Sequence, residues 1–146
     1  MTHVPKFLLA IAAPVAIFSL AAPAAAAVVH VVKSATCGCC SKWVEHMRKA
    51  GHTMKVTNGD PHAEAGRLGV PDDLRSCHTA RVGRYALEGH VPAEDVARLL
   101  REKPNAAGLA VAGMPAGSPG MESAVKQPFE TILFAKDGKR RVFARH

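Results

Sequence analysis

The chain has 146 residues, with 19 Lys and Arg against 12 Asp and Glu, and a net charge of +7 with histidine neutral. The basic residues are spread along it, at Lys42, Arg48 and Lys49, at Arg81 and Arg84, at Arg98 and Arg101, and from Lys139 to Arg141. No block of them is interleaved with aromatics, so a solvated surface is expected and nucleic-acid binding is not.

Met1 to Ala27 holds one lysine, Lys6, followed by LLAIAAPVAIFSLAAPAAAA. A charged start, an apolar stretch and a small-residue end read as a secretory signal peptide over residues 1–26, cut near Ala26. Pro14, Pro23 and the alanine-rich tail argue against a membrane anchor, which needs ~20 strongly apolar residues. No stable membrane span is expected after cleavage. Removing the signal leaves 18 basic residues against 12 acidic ones, on a length that suits one small domain, residues 27–146. Export implies an oxidising setting in which four cysteines could form two disulfides.

Val28 to Lys33, VVHVVK, is β-branched and short and reads as a buried strand. From Cys40 the apolar positions Cys40, Trp43, Val44 and Met47 follow i, i+3, i+4, i+7, one face of an amphipathic helix, with Gly51 placed as its cap. His52 to Thr57 alternates as a second strand. Pro61 to Leu68 suits a short helix, with another helical turn over Asp72 to Leu74. Thr79 to Val82 and Tyr85 to Leu87 read as a hairpin about Gly83 and Arg84. Pro92 to Lys103 is the clearest helix, with Pro92, Glu94 and Asp95 at its start and Pro104 beyond its end. Gly108 to Met121, GLAVAGMPAGSPGM, carries no charge and reads as an irregular loop packed over something. Phe129 to Ala135 and Lys139 to His146 flank Asp137-Gly138, a hairpin signal. The expected fold is α+β: a small mixed sheet of four or more strands, flanking helices and a C-terminal β-hairpin. The strand leading to a cysteine turn at a helix start is a thioredoxin-like arrangement.

That turn reads TCGCCSKW, with Cys37, Cys39 and Cys40 together and Cys77 distant in SCHTA. Cys37 and Cys40 have the spacing of a redox pair, and a helix N-terminus favours the thiolate. Cys39 spoils the simple redox reading by offering competing disulfides. Thiolates select soft ions, and Cys77 brings the sulfurs to four. Adjacent cysteines diverge, which suits a cluster of Cu(I) ions with bridging thiolates better than one ion. His90 in EGHVP, with Met114 and Met121 in the glycine-proline stretch, adds imidazole and thioether. Structural disulfides remain the third reading. His78 is read as a neighbour of a ligand, and His30, His46, His52, His62 and His146 as surface residues.

KSATCGCCSKWVEHM, LGVPDDLRSCHTARVGRYALEGHVPAEDVARLL and GLAVAGMPAGSPGME, in that order, resemble the bacterial periplasmic CopG-type copper-resistance proteins, a family long described only as a domain of unknown function. The resemblance spans residue 28 to the C-terminus. It implies a thioredoxin-like fold and a thiolate copper site, with Cys37, Cys39, Cys40 and Cys77 as ligands and His90, Met114 and Met121 as secondary ones. It also implies several copper ions that change oxidation state, and a role in copper resistance. Expected partners are copper ions and other periplasmic copper-handling proteins. The family tends to read GLAVPGMP, where this chain has Ala112. The rival function is a periplasmic thiol–disulfide oxidoreductase using Cys37 and Cys40.

Overall fold

The structure is a computed structural model and describes residues 26–146. The signal peptide expected over residues 1–26 lies outside the described residues, apart from Ala26. No helix of the described residues is long and apolar enough to cross a membrane.

Strand β1, Val28–Lys33, alternates as its sequence does, with Val29, Val31 and Lys33 buried. Helix α1, Gly38–Lys49, buries Cys40, Trp43, Val44 and Met47, the predicted stripe. It returns the chain to β2, Thr53–Asn58, which pairs parallel with β1. Helix α2, Pro61–Leu68, has its bounds written locally. Asp60 Oδ1 accepts from the N–H groups of His62 and Ala63 at 2.9 and 3.2 Å, Pro61 sits in the first turn, and Gly69 closes the end at φ +74. A single 3-10 turn, Asp72–Leu74, leads to β3, His78–Val82, and β4, Tyr85–Glu88, an antiparallel hairpin. Helix α3 runs Ala93–Glu102 and ends at Lys103 in the left-handed region, φ +48.

Gly108–Ala110 departs from the expected loop. These three residues form β5, fully inside the sheet, parallel to β4 and antiparallel to β6. The reason is backbone proximity: a Cβ on Gly108 would lie 2.1 Å from the Ala86 carbonyl oxygen, so only glycine admits the pairing. The hairpin of β6, Glu130–Phe134, and β7, Arg140–Arg145, completes a sheet ordered β2-β1-β3-β4-β5-β6-β7. Gly138 takes φ +83 in its turn, as the Asp-Gly signal requires.

One sheet face carries α1 and α3 over a core of Val29, Val31, Trp43, Met47, Leu87, Val96, Leu99, Leu109 and Phe143. The other holds a smaller cluster under α2, with Ala65, Val70, Leu74, Ala86, Ala110 and Phe134. Two histidines expected at the surface are not there. His52 is buried and accepts the Ala27 N–H at Nδ1, 3.3 Å away. His46 is half-buried, and its Nε2 accepts the Ala93 N–H at 3.1 Å. That bond serves the start of α3, where Pro92 offers no side-chain cap. His30 and His62 are exposed. His146, also exposed as a residue, sets Nε2 2.9 Å from Asp95 Oδ2 and stacks on Phe129.

Candidate metal centre

The sheet's register gathers the chemistry at one end. Lys33, the last residue of β1, pairs with His78, the first of β3, and β4 runs back from the β3–β4 turn to Glu88. The cysteine turn leaves β1 at this end, Cys77 enters β3 here, and His90 follows β4 here.

Cys37 is the N-cap of α1, and its sulfur accepts the Cys40 N–H at 3.3 Å. The first turn of α1 holds no acidic residue while its last turn holds His46, Arg48 and Lys49. The unopposed positive end of the helix dipole therefore faces the sulfurs and favours negative charge there. Cys37 and Cys40 are joined as a disulfide with Cα atoms 5.4 Å apart, and Cys39 and Cys77 are free thiols. Cys39 Sγ lies 3.5 Å from Cys37 Sγ and 3.7 Å from Cys77 Sγ. Cys40 Sγ lies 3.4 Å from the Cys77 carbonyl oxygen. All four sulfurs fall within 4.8 Å of one another.

Cys77, His78 and His90 form a second donor group on the same scale. Cys77 Sγ is 3.1 Å from His90 Nε2 and 3.5 Å from His78 Nδ1. His90 is fully buried, and its Nδ1 is 2.8 Å from the Pro119 carbonyl oxygen. A carbonyl only accepts, so Nδ1 carries the proton and the Nε2 lone pair faces the sulfur, the arrangement that orients metal-binding histidines. Burial keeps His90 below its ordinary pKa, and it drives His78, with the His90 charge as a lesser cause, down to about 3. Both rings are neutral at physiological pH, as ligands must be. His78 is packed 4.4 Å from the Trp43 ring, and its Nε2 is buried without a hydrogen-bond partner. Burial, reinforced by the nearby Cys39, pushes the Cys77 thiol up to about 12. A metal there must displace a proton.

The glycine-proline loop lies across the cysteine turn. Gly120 has φ +87, and a Cβ there would come within 2.6 Å of the Cys39 carbonyl oxygen and 2.9 Å of Trp43 N. Pro119, one residue earlier, is the acceptor that fixes His90. On this loop the Met114 side chain is exposed, and Met121 is half-buried beside Gly120.

The structure thus brings together Cys37, Cys39, Cys40, Cys77 and His90, all singled out in the sequence. It adds His78 to them. Glu88, fully buried at the end of β4, lies outside these donor groups, and burial raises its carboxyl to about 7. The donors are soft or borderline throughout, so the set fits a soft metal.

A family profile described as "Protein of unknown function, DUF411" matches residues 74–121. No curated protein matches the chain. Two solved structures are similar over most of it. "Copper resistance protein copG- Form 2" is 36% identical, covers 84% of this chain and 99% of its own, and superposes with a TM-score of 0.79. "Copper resistance protein copG- Form 1" is 38% identical, covers 84% of this chain and 98% of its own, with a TM-score of 0.75.

Proposed function

The chain belongs to the CopG family of copper resistance proteins, and from that premise we propose that it is an exported, periplasmic protein that binds copper as Cu(I). Copper is its cargo. The thiolates of Cys37, Cys39, Cys40 and Cys77 hold it, with His90 and His78 as imidazole donors and Met114 and Met121 as thioether donors. The observation that carries this reading is the convergence of four sulfurs within 4.8 Å, beside a histidine whose lone pair faces Cys77. Thiolate and imidazole in a site with few hard oxygens favour Cu(I) over magnesium or calcium. Sulfurs that meet but diverge suit several ions bridged by thiolates. The relatives' name, copper resistance protein, supports copper over zinc.

With the Cys37–Cys40 disulfide closed, the grouped donors left free are Cys39, Cys77, His78 and His90. Its reduction, by two electrons and two protons, supplies the other two sulfurs. Copper capacity is therefore expected to be greater in the reduced protein than in the oxidised one. The measurement is anaerobic Cu(I) titration of both forms against a chromogenic chelator, with copper-edge absorption to read sulfur ligation. Equal, negligible uptake by both forms, with all four reduced thiols still reactive, would sink the reading.

The disulfide at a helix N-cap gives the rival some support, since it is also what a thiol–disulfide oxidoreductase would carry. Insulin reduction separates the two. Turnover that survives Cys39→Ser with Cys77→Ser favours the oxidoreductase, because a dithiol enzyme needs only Cys37 and Cys40.

A further inference from the structure

The peptide bearing Cys77 lies just outside β3, which begins at His78 and pairs with β4 from Thr79 onward. The ladder therefore does not fix Ser76 and Cys77. Glu88 does. Its Oε1 accepts the Ser76 N–H at 2.7 Å, and its Oε2 lies 2.7 Å from Thr79 Oγ1. Ser76 and Thr79 flank Cys77 and His78, so one carboxyl group grips the two-donor peptide on both sides. The Ser76 hydroxyl donates to the Gly113 carbonyl at 2.5 Å, which ties the same peptide to the covering loop. Gly89, at φ +69, brings Ser76 against the backbone leading to His90. A Cβ there would meet the Val111 carbonyl oxygen at 2.6 Å and Ser76 Cβ at 2.7 Å.

We infer that Glu88 is a positioning residue for the metal centre: by holding Ser76 and Thr79 it sets Cys77 Sγ opposite His90 Nε2. The inference rests on the copper reading above, because it gives that contact a purpose. The geometry also says which replacement works. Thr79 has one hydroxyl proton and two close oxygens, Glu88 Oε2 at 2.7 Å and the Pro61 carbonyl at 2.8 Å. An amide at position 88 satisfies the whole chain. Its oxygen accepts from Ser76, its N–H donates to Thr79 Oγ1, and Thr79 donates to Pro61. Leucine satisfies none of it and leaves the buried Ser76 N–H unpaired.

The test loads reduced wild type, Glu88→Gln and Glu88→Leu with Cu(I), measures affinity, then maps cysteine alkylation by iodoacetamide with mass spectrometry. Glu88→Leu is expected to bind about tenfold or more weakly, with Cys77 alkylated while Cys37, Cys39 and Cys40 stay shielded. Glu88→Gln is expected to match wild type in both. A leucine variant with wild-type affinity and a shielded Cys77 overturns the assignment. So does a glutamine variant as impaired as the leucine one, since charge would then matter rather than hydrogen-bond geometry. If Glu88→Leu does not fold, Thr79→Val removes one anchor, and a smaller loss with Cys77 selectively exposed is expected; a fully shielded Cys77 overturns it. Failure of the copper reading looks different, with no uptake by wild type. Glu88 is then read from Cys77 alkylation in the reduced, metal-free protein, expected faster in the leucine variant only; equal rates in all three overturn it.

Discussion

Trp43 is the only tryptophan of the chain, fully buried, with its Nε1–H donated to the Val91 carbonyl at 2.9 Å. Its ring lies 4.4 Å from His78, which borders Cys77. Its emission should therefore report events at the sulfurs. Copper uptake by the reduced protein is expected to quench it to a plateau, and Cys77→Ser to weaken the quenching. Stoichiometric uptake with unchanged emission would mean the ions sit elsewhere. The cysteines and His90 were legible in the sequence because thiols and imidazoles announce their chemistry by type. His78 was not, because neighbouring strand residues point to opposite faces, and only the ladder's start at His78 lets it share a site with Cys77. Glu88 was silent for a related reason. An acid ending a strand looks like any solvated residue until Ser76 and Thr79 close on it.

At the scale of elements, the glycine-proline loop acts as a cover on α1. Gly120→Ala puts a methyl group against the Cys39 carbonyl and Trp43 N, at a φ of +87 that alanine disfavours. The expected cost is about 2 kcal/mol or more, from backbone strain and overlap together. Because Pro119 is adjacent, the shift should also free His90 Nδ1 and weaken copper binding. Thermal melts with Cu(I) titration check both effects, and an unaltered melting temperature would show that the loop yields without resistance. The helices were legible from periodicity and from the residues at their ends, as in Pro92, Glu94 and Asp95 at the start of α3 and Pro104 beyond it. Strand β5 was not. Three residues, Gly-Leu-Ala, are too few to carry a period, and the parallel pairing of Gly108 with Ala86 is a property of the assembled sheet.

For the whole molecule, the buried histidines set an acid limit. Burial lowers the pKa of His78 to about 3 and also lowers those of His90, His46 and His52. Below their ordinary pKa, near 6.5, the unfolded chain takes up protons that these folded rings refuse. Stability must then fall as pH drops from about 6.5 toward 3, by about 1.4 kcal/mol per pH unit for a histidine held fully neutral. Glu88 works the other way. Raised to about 7, its contribution is present below the ordinary carboxyl range and is lost as pH rises through 7. Between pH 5 and 7.5 its effect is comparable with that of His78 and opposite in sign, so the two offset each other. Metal-free Glu88→Gln, which lacks that offset, is expected to melt at lower temperature at pH 5 than at pH 7.5, and the reverse order would contradict the burial effects on the histidines.

Strand β1 runs toward the cysteine turn, so its first residue marks the opposite end of the sheet. The chain enters β1 at Val28 and reaches the cysteine turn only after six residues of strand, roughly 20 Å away. Whatever precedes Val28 therefore joins the domain at the pole remote from the sulfurs. Processing of a leader near Ala26 would take place far from the metal donors. Under the exported reading proposed above, a leader would tether the precursor at that pole and leave the cysteine turn a full strand length from the tether.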